Sequence, residues 1–422
     1  MHKKGWSGVV LSVVVLALSA RAGLAQDTSK DEEIQDLKRR LEALEKDKQL
    51  RDQQSPDGAA VVSEPVEEKW FDKVHVGGGV RTEYRAMEEI PFGTTKKYTS
   101  NFTLDSGRLY TGGKINDIFS VTLNAEFTAA GASVLDAICQ MKVADSFNIF
   151  MGRMLPATDR SNSDGPYYLS SWDFPFLSDG FNAAGKLGDR DDGITFWGDV
   201  SNFKYWVGVY EGADHGAPSV AFPNGDRLLY AARVQYNFFD PEPGYYLQST
   251  YYGDKNILAI GLVANYQGGA TVEPGGGATS FGNVAVDFLW EQKMAVLMDG
   301  TATVEMAYYY FGRHGIAAPP TGGGPAGPFD VGAGTGFLFS VAYLIPGHLG
   351  WGQFQPIFRY QGFDHSPSSA NNPVAGDIAH YDFGVNYVMM GHNARISFVY
   401  THIDAGNKAQ FGEYVVGTQF QF

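Results

Sequence analysis

From Trp70 to Phe422 the chain is a succession of segments about ten residues long, the length of a tilted membrane-spanning strand, in which apolar and polar side chains alternate between breaks of Gly, Asp, Asn or Pro. Sixteen can be counted: 74–85, 101–113, 118–129, 133–144, 147–154, 193–200, 203–212, 227–239, 257–267, 281–292, 300–312, 335–345, 351–363, 378–390, 393–404 and 410–422. The last ends on Phe422, with Phe420, Thr418, Val416 and Tyr414 at every second position behind it. Period-two alternation gives each strand one apolar face. A soluble sandwich would pack that face inside. A closed barrel in a bilayer turns it outward to lipid and leaves no unpaired edge.

The connections support the second choice. One alternate set is mostly short, as at 115–117, 145–146, 201–202 and 346–350. The other holds the long ones, at 86–100, 155–192, 213–226, 268–280, 313–334 and 364–377. Short turns at one end and long loops at the other are the habit of outer-membrane barrels. The segment 240–256 is the exception, long but on the short side; it reads either as a fold into the barrel mouth or as two missed strands.

Ahead of the barrel, Lys3 and Lys4, an apolar run from Val9 to Leu18 and small residues ending at Ala25 read as a secretory signal over 1–25. The run is too short to span a bilayer. Ile34, Leu37, Leu41 and Leu44 then make a three-four seam over 26–53, a short coiled-coil helix that the even strand count places in the periplasm. Two heptads are marginal alone, so the seam implies several copies held together. Residues 54–69 read as a linker and 70–422 as the barrel. The expectation is an all-β transmembrane antiparallel barrel of about sixteen strands, placed in outer-membrane lipid of a Gram-negative-type cell.

A net charge of −15 argues against nucleic acid as a partner. One parity per strand puts Arg81, Arg85, Arg108, Lys142, Arg153, Lys204, Arg233, Arg359 and Arg395 on the inner wall, with Glu83, Glu126, Asp136, Asp287, Glu291, Glu305, Asp382 and Glu413. So charged a wall is expected to hold water, and the drift from basic first half to acidic second half suggests a transverse field. The aromatic stretch 155–192 reads as a loop folded inward, bringing Arg153, Arg160, Lys186 and Arg190 to a constriction.

The segments "NIFMGRMLPATDRSNSDGPYYLSSW" and "YYGDKNILAIGLVANYQ", with the leader, the short helix and the aromatic last strand, resemble the family of phosphate-selective porins O and P. The resemblance implies a sixteen-stranded homotrimeric channel passing small anions or other small polar solutes by diffusion. Phosphate selectivity in that family rests on dense ladders of Arg with a few Lys. Here the Arg are scattered and the barrel is acidic, so the specificity does not carry over, and an anion preference is left to test.

No other chemistry competes. The Gly-rich stretches lack a Gly-Lys-Ser/Thr phosphate loop. His380 and His402, on neighbouring strands, have no metal-ligand spacing, and Cys139 reads as a lipid-facing hydrophobe. No enzyme, cofactor or metal is expected. The rival reading is a structural or adhesive barrel with a blocked lumen and partner-binding outer loops.

Overall fold

The computed structural model describes residues 73–88, 98–182, 189–212, 227–272, 278–295, 299–313, 333–366, 377–404 and 410–422. The leader, the 26–53 helix, the linker and Lys186 lie outside these residues. Sixteen strands form one closed antiparallel barrel. They are β1 (Val74–Glu88), β2 (Tyr98–Lys114), β3 (Phe119–Thr128), β4 (Gly131–Ala144), β5 (Phe147–Met154), β6 (Asp191–Val200), β7 (Phe203–Tyr210) and β8 (Leu229–Asn237) in the first half. The second half holds β9 (Ile257–Val272), β10 (Ala278–Met294), β11 (Gly300–Arg313), β12 (Gly334–Leu344), β13 (Gln353–His365), β14 (Ile378–Val388), β15 (Ala394–Asp404) and β16 (Gln410–Gln421).

Each strand pairs with its chain neighbours, and β1 pairs with β16 to close the cylinder. The seam runs to the last residue, where Phe422 N donates to Gly78 O at 2.9 Å and Gly78 N to Phe422 O at 3.2 Å. Every segment counted in the sequence is a strand, with ends shifted by a few residues. Residues 240–256 hide no hairpin: β8 pairs directly with β9.

Register carries the alternation around the wall. Leu262, Val286 and Tyr308 stand side by side and are 44–52 % exposed. The inward positions of these strands include the buried Asp287 and Glu305. With no water in a bilayer core, such an apolar exterior around a fully paired backbone is what spanning by strands requires.

The interior differs from the water-filled bore expected from its charges. Arg81, Arg233 and Arg395 are less than 2 % exposed. Two segments fill the barrel beside them. From the long-loop end, the connection after β5 turns inward and carries two short helices, α1 (Arg160–Asp164) and α2 (Phe176–Asn182). From the short-turn end, residues 238–256 fold in beneath it. They meet where Leu247 N donates to Ser163 O and Ser249 N to Tyr168 O, both at 3.3 Å. Charged walls and a packed interior coexist because these insertions bring their own countercharges and carbonyls.

Replacing Val286, in the middle of β10, by Arg should lower stability by about 2–4 kcal/mol in lipid vesicles. Denaturant titration of vesicle-embedded barrel measures this.

Candidate functional site

The site is the bore, and its shape follows from how the two insertions are held. Leu177 and Phe181 of α2 enter an apolar patch on the inner wall formed by Val263, Ala285, Tyr309, Phe311, Leu338, Phe363 and Ile378. Burial of such side chains contributes about 1.5–3 kcal/mol each. On the opposite wall Phe150 and Met154 pack with Trp206, Tyr210 and the strap residues Tyr245 and Leu247. Apolar residues at inward positions were the sequence signal for these insertions, which a reading by strand polarity alone passes over.

Between the two patches lies a buried ionic lock. Arg160 gives two hydrogen bonds of 2.8 Å to the Glu242 carboxylate, joining the upper insertion to the lower. The backbone N of Arg160 donates to Asp287 Oδ2 at 3.1 Å, and Arg233 holds the same carboxylate through both guanidinium nitrogens. Burial pushes the Glu242 carboxyl up, but the Arg160 charge and hydrogen bonds bring it down to about 2. Removing one partner of a buried pair costs about 3–5 kcal/mol because the other charge is left without compensation.

The remaining arginines grip the descending loop by its carbonyls. Arg81 donates to Trp172 O at 2.7 Å and lies 3.9 Å from the centre of the Trp172 ring. Arg395 donates to Leu169 O at 2.5 Å and Arg359 to Asp173 O at 2.7 Å. Arg85 pairs with Glu83, Asp173 and Glu413. Glycines in the wall provide the room. A Cβ on Gly417 would stand 2.5 Å from the Trp172 ring, and one on Gly79 would stand 2.7 Å from Tyr167. Glycine inside a strand marks such close approach.

The expected site residues therefore separate. Arg81, Arg85, Arg108, Lys204, Arg233, Arg359 and Arg395 do face inward, but as braces. Arg108 pairs with Glu126 at 2.9 Å, and Lys204 donates to Gly244 O at 2.6 Å and lies 3.4 Å from Asp199. Arg190 is buried against Asp136 at 2.8 Å. Arg160 is buried in the lock. Lys142 stands at the short-turn mouth, 2.9 Å from Asp145, with its side chain 63 % exposed.

Arg153 is a correction. It shares the outward register of Ile149 and Met151 and donates through Nε to Val134 O, so it is not at a constriction. Apolar residues on both faces of β5 disguised its parity. His380 and His402 also part: His380 packs inward on Phe176, while His402 lies one register position off, beside outward Tyr381. The transverse field is cancelled locally, since the Arg pairs lie with acids on the same or nearby strands, as Arg359 does with Asp382.

The inner wall is least covered along β2–β4. Tyr110, Ser120, Thr122 and Gln140 are only partly buried there. A cavity of about 520 Å³ opens at the short-turn end of this wall, lined by Ser120, Gln140, Asn148, Trp197, Asn202 and Gly244 among others. At the same end, His392 in the β14–β15 turn faces Thr250 O at 2.8 Å and Tyr167 O at 3.2 Å, touching both insertions at once. Burial lowers the His392 ring to about 4, although those carbonyls pull it up.

No family model matches the sequence, and no curated protein matches it. Solved structures do. OprB of Pseudomonas putida, in a high-pH structure, aligns over 83 % of this chain and 95 % of its own at a TM-score of 0.58 and 9 % identity. The anion-selective porin from Comamonas acidovorans aligns over 83 % and 99 % at 0.53 and 12 % identity. Salmonella typhi OmpF, in complex with daunomycin, aligns over 83 % and 97 % at 0.52 and 11 % identity. Likeness at this identity establishes the porin fold. The particular tie to the phosphate-selective O and P family has no match behind it.

Two outcomes follow from the braces. Gly417→Ala should push Trp172 from its notch and lower stability by about 1–3 kcal/mol, read by thermal unfolding. For His392, the unfolded chain takes up a proton near pH 6.5, whereas the folded ring does so only near 4. Its contribution is complete above about 6.5 and is lost as pH falls towards 4. Wild-type stability should fall more steeply over this window than that of His392→Gln.

Proposed function

We propose that the chain is an outer-membrane channel for passive diffusion of small solutes or ions, with its short-turn end facing the periplasm. The observation that carries this reading is the partly exposed polar strip on the inner face of β2–β4, which leads to the 520 Å³ chamber inside a cylinder with an apolar exterior. The comparison proteins described as porins support it by fold.

An anion preference would rest on few groups. Lys142 is the well-exposed cation of the described inner wall, while Arg108 is only 8 % exposed and paired with Glu126. A phosphate ladder would need several unpaired cations in a row.

Three copies are the proposed assembly. Exposed Tyr230, Tyr236, Tyr266, Tyr308, Tyr310 and Tyr414 supply an interfacial girdle on the strands from β8 to β16. Strands β3, β4 and β5 contain no Tyr or Trp, and Trp197 of β6 faces the cavity. A wall without a girdle suits contact with a neighbouring barrel, and Arg153 and Asp192 stand paired in outward register on it. The short Ile34–Leu44 seam would gain its partners from such a trimer.

The extent of filling favours one other reading, a blocked barrel that serves as a structural or adhesive anchor. Planar-bilayer recording separates the two. For the channel, deletion of 156–190 should raise single-channel conductance severalfold, whereas an intact protein giving no current steps would leave the anchor reading. Lys142→Glu should move the reversal potential in a salt gradient towards cations, and Arg153→Glu should leave it unchanged.

A further inference from the structure

We propose that the chamber at the short-turn end is a recognition site for neutral polyhydroxylated solutes, such as small sugars, and that it sets the solute class of the channel. The inference rests on the diffusion-channel reading for its physiological use, but the site itself is defined by its own side chains.

Charge has been removed from the chamber by pairing. Lys142 lies 2.9 Å from Asp145, and Lys204 is occupied by Asp199 and the carbonyls of Glu242 and Gly244. The Glu242 carboxylate is held by Arg160, Gln235, Asn237 and Tyr251. Each cation among the described chamber residues already has a carboxylate within 3.4 Å, so an anion entering here gains little for the water it gives up.

What the wall offers instead is amide and hydroxyl groups beside aromatic rings. Ser120 donates to Gln140 Oε1 at 3.0 Å and Gln140 donates to Thr122 Oγ1 at 3.0 Å, a polar ladder along β3 and β4. Asn148 and Asn202 add further amides, which both donate and accept, as sugar hydroxyls do. Across the chamber stands Trp197, set edge-on against Phe150 and Tyr245 at 5.3 and 5.5 Å between ring centres. Its Nε1 is buried with no hydrogen-bond partner. An indole beside a ring of amides matches a solute with C–H faces and hydroxyl edges. The volume of about 520 Å³ lies within the 300–1,000 Å³ usual for small-molecule sites.

The test uses the full-length protein with maltose as the neutral probe and sodium phosphate as the charged one. In planar bilayers, maltose on the short-turn side should reduce potassium chloride current saturably, and phosphate should not. Trp197→Ala should raise the half-blocking concentration about tenfold. Gln140→Leu, which keeps the aromatic packing intact, should raise it as well and covers the case in which Trp197→Ala does not fold. A conducting channel that maltose leaves untouched, or that phosphate blocks instead, overturns the site while the channel reading stands. If no current is seen at all, the channel reading fails, and tryptophan-fluorescence titration of detergent-solubilised protein with maltose decides the site: saturable quenching lost in Gln140→Leu supports it, and a flat titration overturns it.

Discussion

The Arg160 guanidinium sits inside a barrel more than 80 residues in sequence from the carboxylate that neutralises it. Buried at 1 % exposure, it needs Glu242 at one side and Asp287 at the other, and those two groups come from a different insertion and from the wall. Few arrangements of the chain satisfy that demand. The upper loop must descend far enough to place Arg160, and the lower strap must rise far enough to bring Glu242. The meeting of the two insertions is therefore an electrostatic requirement as much as a packing one, because a single unpaired charge at this depth would be costly.

The cylinder around them is held by different physics. Backbone pairing closes it from β1 to β16, and the outward row of apolar side chains suits a medium that offers no hydrogen bonds. The inner wall then divides in two. On β9–β14 an apolar patch receives α2, with Leu177 and Phe181 wholly buried. On β2–β4 the wall stays polar and partly open. In the proposed channel this asymmetry would confine a solute to one side of the bore, past Tyr110 and the Ser120–Gln140 ladder, into the chamber at the short-turn end. His392 ties the filled side together from the turn between β14 and β15.

This division also revises how the arginines are understood. Inward arginines that alternation alone would set against water are mostly anchors for loop carbonyls: Arg81 for Trp172, Arg359 for Asp173, Arg395 for Leu169. Guanidinium groups suit that task because their planar array of donors can serve a carbonyl and a carboxylate together.

The sequence alone determined the barrel class, an even count of about sixteen strands and, nearly everywhere, which residues face out. Alternation at period two records directly which medium each side chain meets, so Leu262, Val286 and Tyr308 were legible without coordinates. The even count could not resolve 240–256, since a hidden hairpin would have kept the count even; the direct pairing of β8 with β9 decided it. Arg153 escaped because Phe150 and Met154 are apolar for the sake of Tyr245 and Leu247, contacts that no local pattern encodes. The same limit governed the bore. Whether an inward charge meets water or a carbonyl depends on partners such as Leu169, 226 positions from Arg395. Only the tertiary structure brings those partners together, since the insertions that supply them follow no period of their own.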